Sequence, residues 1–187
     1  MNMMKKSMLA AVLFLAGAAF VCAADADVNG QFKRYSKTFT PLDWGLNMSK
    51  AQAQSIKVTV QPSTDSAKSN VLVVDTTQST NGAPLRHTKG IPCKAGDKLI
   101  LSADITAKGS ISFDFTKYGR KGFLRSQKKG FRLLGRKTPV KFELILNEDN
   151  PPKELYRVHM VMHFPKGRVS KVENLKVELI PVADAAK

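Results

Sequence analysis

Residues 98–118 read "KLILSADITAKGSISFDFTKY", and apolar side chains recur at every second position of this stretch. These positions are Leu99, Leu101, Ala103 and Ile105 in the first half, and Ile111, Phe113 and Phe115 in the second half. Successive side chains of a β-strand point to opposite faces, so the alternation indicates strands with one buried face. We therefore predict two strands here, at residues 98–107 and 110–118.

The period of two continues on both sides of this stretch, whereas no segment after residue 54 has the period of a helix. Turn-forming residues such as Asn81 and Gly82 separate the apolar runs. Further strands are predicted at residues 55–61, 71–75, 140–147, 155–164 and 169–182. The sequence thus predicts an all-β fold, an antiparallel two-sheet β-sandwich (jelly roll) of about eight or nine strands in a single domain.

The first 23 residues have the pattern of a secretory signal peptide. Lys5 and Lys6 precede an apolar stretch at 8–20, and Val21-Cys22-Ala23 ends in the small residue that signal peptidase requires. The apolar stretch is too short to cross a bilayer as a helix, so no transmembrane segment is predicted. An alternative is a lipoprotein signal with Cys22 lipidated, but that site needs a small residue where Val21 stands. We expect a signal peptide at 1–23, the sandwich domain at 24–187, and secretion to the periplasm or the cell exterior.

Basic residues are concentrated in one run. Removal of the two lysines of the signal peptide lowers the formal net charge from +15 to +13. Eight Lys or Arg residues lie at 118–137, "YGRKGFLRSQKKGFRLLGRK", where no Asp or Glu occurs. A secreted protein with this charge is expected near polyanions such as acidic polysaccharide or an anionic envelope surface.

The basic run contains four glycines, which divide it into pieces too short for an amphipathic membrane helix. Secretion also separates it from nucleic acid. We expect a long hairpin or loop, with Phe131, Leu133 and Leu134 directed toward the core. Its predicted polyanion-binding residues are Arg120, Lys121, Arg125, Lys128, Lys129 and Arg132. The alternative is a solvated loop whose charge only keeps the protein soluble.

Three segments, in this order and at this spacing along the chain, carry a family resemblance. They are "VNGQFKRYSKTFTPLDWG" (28–45), "IPCKAGDKLILSADITAKG" (91–109) and "GRVSKVENLKVELIPV" (167–182). Together they resemble secreted carbohydrate-binding modules with a galactose-binding-like jelly roll, and the resemblance spans nearly all of residues 24–187. It implies a jelly-roll fold and carbohydrate binding. In such modules an acid after the first Phe and an Asp of the last strand commonly help to bind a structural calcium. Lys33 and Glu173 stand at these positions, so we expect the calcium site to be lost and the two side chains to form an ion pair.

Sugar recognition needs an aromatic ring and polar side chains on an accessible surface. Residues predicted to point outward from the strands supply both, and an ordinary solvated sheet face is the alternative. These candidate ligand-binding residues are Asp114, Thr116, Tyr118, Lys141, Glu143, Arg157, His159 and His163. Trp44, the only tryptophan, would suit sugar stacking, but we favour a structural role for it.

The sequence shows no arrangement typical of catalysis or metal binding. His159 and His163 would lie about 13 Å apart on a strand, which is too far to share one ion. No Ser-His-Asp, Cys-His or phosphate-loop motif is present. Cys93, the single cysteine after residue 23, is expected to be a buried apolar residue. We predict no catalytic residues, no metal and no cofactor.

These observations favour a secreted, non-catalytic carbohydrate-binding protein for acidic polysaccharide or an anionic cell-envelope surface. The alternative is a structural or adhesion subunit of an extracellular or envelope assembly, in which the basic run contacts an acidic protein partner.

Overall fold

A computed structural model describes residues 24–38, 40–64, 69–146 and 155–182. The predicted signal peptide and the "NEDNPP" turn at 147–152 lie outside the described residues. The elements are β1 (Ala24–Asp25), β2 (Trp44–Leu46), α1 (Lys50–Ala53), β3 (Lys57–Pro62), β4 (Asn70–Asp75), β5 (Ala83–His87), β6 (Ile91–Pro92), β7 (Lys98–Gly119), β8 (Gly122–Ile145), β9 (Leu155–Phe164) and β10 (Val169–Ile180). No helix in these ranges is long and apolar enough to cross a membrane.

Every strand pair is antiparallel, and the strands form one curled sheet in the order β2-β5-β9-β7-β10-β4-β3. Three further strands attach to this path: β1 pairs with β10, β6 with β9, and β8 with β7. The predicted all-β sandwich of the jelly-roll type is confirmed. The described ranges hold ten strands rather than eight or nine, and the short strands β1, β2, β5 and β6 lie outside the ranges that the sequence predicted.

The two strands predicted at 98–107 and 110–118 are a single strand, β7. Its first part, up to Thr106, pairs with β10, and its second part, from Ser112, pairs with β9. Between them Gly109 has a φ of +118°, a conformation that favours glycine. β7 therefore passes from one half of the curled sheet to the other.

The course of β7 and β8 divides the curled sheet into two half-sheets. The first half-sheet contains β1, β3, β4 and β10 with residues 98–106 of β7 and 137–145 of β8. The second half-sheet contains β2, β5, β6 and β9 with residues 110–119 of β7 and 122–134 of β8.

One hydrophobic core lies between the half-sheets. The alternating apolar residues of β7 supply its centre, and Phe113 and Phe115 are almost completely buried. Each large side chain buried in this way contributes roughly 1.5–3 kcal/mol. Buried partners from both half-sheets are Leu72, Val74, Val172, Val177, Leu85, Met160 and Met162.

The basic run lies in a long β-hairpin, which is one of the two predicted alternatives, and not in a loop. Residues 122–137 belong to β8, which pairs with β7 from Lys98↔Ile145 to Gly119↔Gly122. Only Arg120 and Lys121 form the turn of this hairpin. Most residues of β8 are exposed, because β7 is its one neighbour in the described structure. An edge strand of this kind lacks the buried alternation by which strands are recognised in sequence.

The three apolar residues of the basic run are placed differently. Leu133 is buried and Phe131 is half-buried, as expected, but Leu134 is 75% exposed. Neighbouring residues of a strand face opposite sides, so Leu133 and Leu134 do not both reach the core.

Trp44 and Cys93 have structural roles, as predicted. The indole N–H of Trp44 donates to the carbonyl of Val28 at 3.0 Å, and its ring packs against Phe32 and His87. Cys93 is buried, and burial raises the pKa of its thiol to about 12.

The predicted ion pair between Lys33 and Glu173 is wrong. The Glu173 carboxylate accepts from the Lys137 ammonium at 2.9 Å and from the Ser63 hydroxyl at 3.2 Å. Lys137 reaches Glu173 because β8 runs alongside β7 next to β10, a register that the prediction of a hairpin or loop did not specify. The described residues contain no group of three or more His, Cys, Asp or Glu side chains that could hold a metal ion.

Candidate functional site

The face of the second half-sheet that points away from the core brings six of the predicted ligand-binding residues together. They are Asp114, Thr116 and Tyr118 of β7 and Arg157, His159 and His163 of β9. The register aligns Thr116 with His159 and Tyr118 with Arg157, so their side chains are direct cross-strand neighbours. The Ser126 hydroxyl of β8 donates to the Thr116 hydroxyl at 3.3 Å. We call this surface the Tyr118 face.

Lys141 and Glu143 are not on the Tyr118 face. They align with Ser102 and Ile100 in the first half-sheet. The Glu143 carboxylate accepts from the Lys98 ammonium at 2.8 Å, and this contact lowers the carboxyl pKa. The prediction that all eight residues form one platform is therefore wrong, because β8 bends between the half-sheets.

Aromatic and cationic groups surround Tyr118. The guanidinium carbons of Arg86 and Arg157 lie 6.0 and 5.9 Å from the centre of the Tyr118 ring, within cation–π range. The rings of His159 and Phe123 meet Tyr118 edge-on at centroid distances of 5.3 and 6.1 Å. Phe123 is 61% exposed, so it offers the accessible aromatic surface of this cluster.

Sequence reasoning missed Arg86 and Phe123. Arg86 lies in β5, where Ala83, Leu85 and His87 are buried and the residues between them point outward. That alternation over five residues predicts a strand with Arg86 on its outward face, although Pro84 interrupts it. Phe123 follows the hairpin turn, and the prediction of a hairpin or loop assigned no face to its side chain.

His159 lies on the Tyr118 face but is buried. Its Nδ1 is 3.3 Å from the carbonyl oxygen of His87. Burial lowers the pKa of His159, and the nearby Arg86 and Arg157 lower it further, while the contact with the His87 carbonyl acts in the opposite direction. The neutral form of His159 is therefore favoured at neutral pH, and its buried ring packs edge-on against the Tyr118 ring.

Asp114 and His163 form a polar pair beside this cluster. His163 Nε2 is 3.9 Å from Asp114 Oδ2, which is too long for a hydrogen bond. Neither Asp114 Oδ1 nor His163 Nε2 has a hydrogen-bond partner among the described residues. Burial and Lys128 lower the pKa of His163, and Asp114 raises it. Both atoms are buried, so a ligand hydroxyl would donate to the carboxylate and contact the imidazole only after a side-chain movement that uncovers them.

The six predicted polyanion-binding residues are spread over three positions. Arg120 and Lys121 form the hairpin turn. Lys128 and Arg132 align with Asp114 and Ser110, on the Tyr118 face, whereas Arg125 and Lys129 align with Lys117 and Phe113, on the opposite face. In the described ranges, no salt bridge is formed by Lys121, Lys128, Lys129 or Arg132.

A cleft of about 340 Å³ opens where the two parts of β8 face each other. Phe115, Phe142 and Leu144 supply apolar walls, and the rings of Phe115 and Phe142 meet edge-on at a centroid distance of 5.6 Å. The polar lining includes Arg125, Gln127, Lys128, Lys129 and Glu143. Because β8 bends, Glu143 lies near the basic residues after all. They meet in a cleft at the sandwich edge and not on the Tyr118 face.

Comparison with known proteins gives similarity in structure only. No protein-family model matches the chain, and no curated protein does. The enzymatically active domain of the bacteriophage CBA120 tailspike protein 4 superposes with a TM-score of 0.61 and 14% identity. The match covers 83% of this chain and 21% of that chain. A Stig cyclase from Fischerella sp. TAU matches with a TM-score of 0.55 and 15% identity, covering 87% of this chain and all of the other.

A third solved structure is TmCBM61 in complex with β-1,4-galactotriose. It has a TM-score of 0.53 and 11% identity, and the match covers 82% of this chain and 97% of that one. At these identities the likeness establishes the fold. The same fold serves a binding module, a cyclase and a tailspike domain, so the function has to be argued from the residues of the site.

Proposed function

We propose that this chain is a secreted, non-catalytic carbohydrate-binding protein whose Tyr118 face binds acidic polysaccharide or an anionic glycan of the cell envelope. The observation that carries the proposal is the combination on one face of an aromatic cluster, a polar pair and cations that form no salt bridge in the described structure. Tyr118 and Phe123 supply the aromatic surface, Asp114 and His163 the polar pair, and Arg86, Lys128 and Arg132 the cations.

Each part of the face suits one part of an acidic sugar. The exposed ring of Phe123 offers an apolar plane to a pyranose. Asp114 and His163 carry buried polar atoms without a hydrogen-bond partner in the described structure, and a hydroxyl group would pair with them after a small side-chain movement that uncovers them. Arg86, which forms no salt bridge in the described structure, presents a planar set of donors that matches a carboxylate or sulfate group.

The likeness to TmCBM61 in complex with β-1,4-galactotriose supports a sugar ligand for this chain. The cyclase and the tailspike domain make an enzyme the competing proposal. Two features favour binding without catalysis. The Cys93 thiol is buried and protonated, and Ser112, which aligns with His163, makes no hydrogen bond to it in the described structure.

The test compares one polysaccharide backbone in two charge states. Polygalacturonate and its fully methyl-esterified form differ only in the carboxylate charge, and β-1,4-galactan serves as a neutral third ligand. We expect calorimetric titration in 0.15 M salt to show binding of polygalacturonate and at least tenfold weaker binding of the ester. Equal binding of both would refute the acidic class, and no binding of any acidic or neutral polysaccharide would refute the function.

Matched variants locate the binding surface. Arg86→Ala should weaken binding to polygalacturonate, whereas Lys171→Ala, an exposed lysine of β10 in the first half-sheet, should not. Release of reducing ends during incubation with the same polysaccharides measures catalysis, and we expect none. Secretion is tested by expressing the full chain and sequencing the N-terminus of the exported protein, which should be Ala24.

A further inference from the structure

The outer edge of β8 has no strand beside it in the described structure. Between Lys108↔Leu134 and Lys117↔Arg125 the register with β7 is unbroken, so residues 125–134 form a regular strand of ten residues. Bulges limit this segment at both ends, at Leu124 and at Gly135-Arg136, where β8 has residues in excess of β7. In such a strand every second residue directs its N–H and C=O away from its neighbour, over a length of about 33 Å.

The charges along this edge exclude one occupant and favour another. Lys128, Lys129 and Arg132 lie on both faces of the segment, and no acid occurs at 118–137. A second copy pairing here would bring two sets of positive charges together, which opposes edge-to-edge association. An extended segment rich in Asp or Glu would instead place carboxylates against ammonium and guanidinium groups that have no salt bridge in the described structure.

Apolar groups complete the surface. Leu134 is 75% exposed at one end of the segment, and Phe123 is 61% exposed just beyond the other. Pro139 follows the second bulge and has no N–H to donate, so the edge suited to pairing ends before it. The segment is therefore bounded in length, basic on both faces, and flanked by apolar contacts.

We propose that residues 125–134 of β8 bind an extended acidic peptide segment of a protein partner by strand addition. Main-chain hydrogen bonds to the outward groups of β8 supply affinity, and the basic side chains select acidic sequences. This inference does not depend on the proposed carbohydrate function, because the main-chain groups that it uses lie on the edge of β8, although Lys128 and Arg132 also lie on the Tyr118 face.

The test uses a synthetic nine-residue peptide that alternates Glu with Val or Thr, and the same peptide N-methylated at every second amide. The two peptides have equal charge, but the second lacks the N–H groups that pair along one edge. We expect at least tenfold weaker binding of the methylated peptide, measured by fluorescence polarisation. The unmodified peptide should also slow hydrogen exchange of alternate amides between Arg125 and Leu134.

Charge reversal provides the second readout. Lys128→Glu with Lys129→Glu should weaken peptide binding at least tenfold, whereas Lys57→Glu with Lys171→Glu, in β3 and β10, changes the net charge equally and should have little effect. Circular dichroism verifies that both double variants are folded. Equal weakening in the two double variants, equal binding of the two peptides, or absence of binding would each overturn the proposal.

Binding of either of two other ligands at this edge would also overturn the proposal. A dimer in light scattering whose formation protects the same alternate amides would assign the edge to a second copy. Protection of these amides by polygalacturonate but not by the peptide would assign it to polysaccharide.

Discussion

The guanidinium carbon of Arg86 lies 6.0 Å from the centre of the Tyr118 ring, although the two residues belong to strands that are separated by β9. Neither β5 nor β7 shows in sequence that its outward residues will meet across an intervening strand. The contact depends on the strand order of the second half-sheet. It joins a cation and an aromatic ring on the surface that we propose binds sugar.

The ring of Tyr118 is expected to matter more for binding than its hydroxyl. Tyr118→Ala removes the surface that holds Arg86, Arg157 and Phe123, and aromatic contacts of this kind are worth about 0.5–1.5 kcal/mol. We expect polygalacturonate binding to weaken by roughly two- to tenfold in calorimetric titration. Tyr118→Phe keeps the ring and should bind nearly as the native chain does. Similar losses in both variants would contradict this view of the cluster.

Binding of acidic polysaccharide should depend on salt through the cations of the hairpin. Exposed charges are screened beyond about 8 Å at physiological ionic strength. Replacing Lys121, Lys128, Lys129 and Arg132 with Ser should reduce the fall in affinity between 0.05 and 0.5 M NaCl. The matched control replaces Lys33, Lys37, Lys57 and Lys171, which are exposed elsewhere. If the control reduces the salt dependence equally, net charge and not the hairpin is responsible.

The histidines should make the folded state less stable in mild acid. Burial lowers the pKa of His87, His159 and His163 below the ordinary value of 6.5. The unfolded chain therefore takes up protons first as the pH falls below 6.5, so the free energy of unfolding decreases from there toward the folded-state pKa values. Above pH 6.5 this contribution is fully present.

Urea unfolding at pH 7.5, 6.5 and 5.5 measures this effect. His159→Gln, at the most buried position on the Tyr118 face, should reduce the pH dependence without removing it, because His87 and His163 remain. Stability that is constant or rises between pH 6.5 and 5.5 would show that these imidazoles are not held neutral.

Calcium should not stabilise the fold. Lys137 places its ammonium 2.9 Å from the Glu173 carboxylate, and a cation that used this carboxylate would have to displace it. A ligand stabilises the native state only when it binds there, so millimolar calcium should shift the melting temperature by less than about 1 °C. A rise of several degrees that EDTA reverses would reveal a calcium site.

The sequence predicts the fold well where strands bury one face, and poorly where they do not. β7 and β9 alternate because one face packs into the core, and most of the Tyr118 face follows from that alternation. β8 is mostly exposed, so its residues show no alternation of buried side chains, and the sequence leaves both a hairpin and a loop open for this segment. The division of the eight predicted site residues between two half-sheets depends on the bend of β8, a long-range feature that no local pattern encodes.

The strongest test of β8 as a strand compares two adjacent leucines. Leu133 is 5% exposed and Leu134 is 75% exposed, a contrast that a strand requires and a loop entering the core would not give. Leu133→Ala should lower the free energy of unfolding by about 2 kcal/mol or more, as large-to-small changes in a core do. Leu134→Ala should change it by less than about 0.5 kcal/mol, because it removes little buried surface. Urea unfolding of the two variants decides the question: equal losses would contradict the register of β8, whereas unequal losses in the stated order would support it.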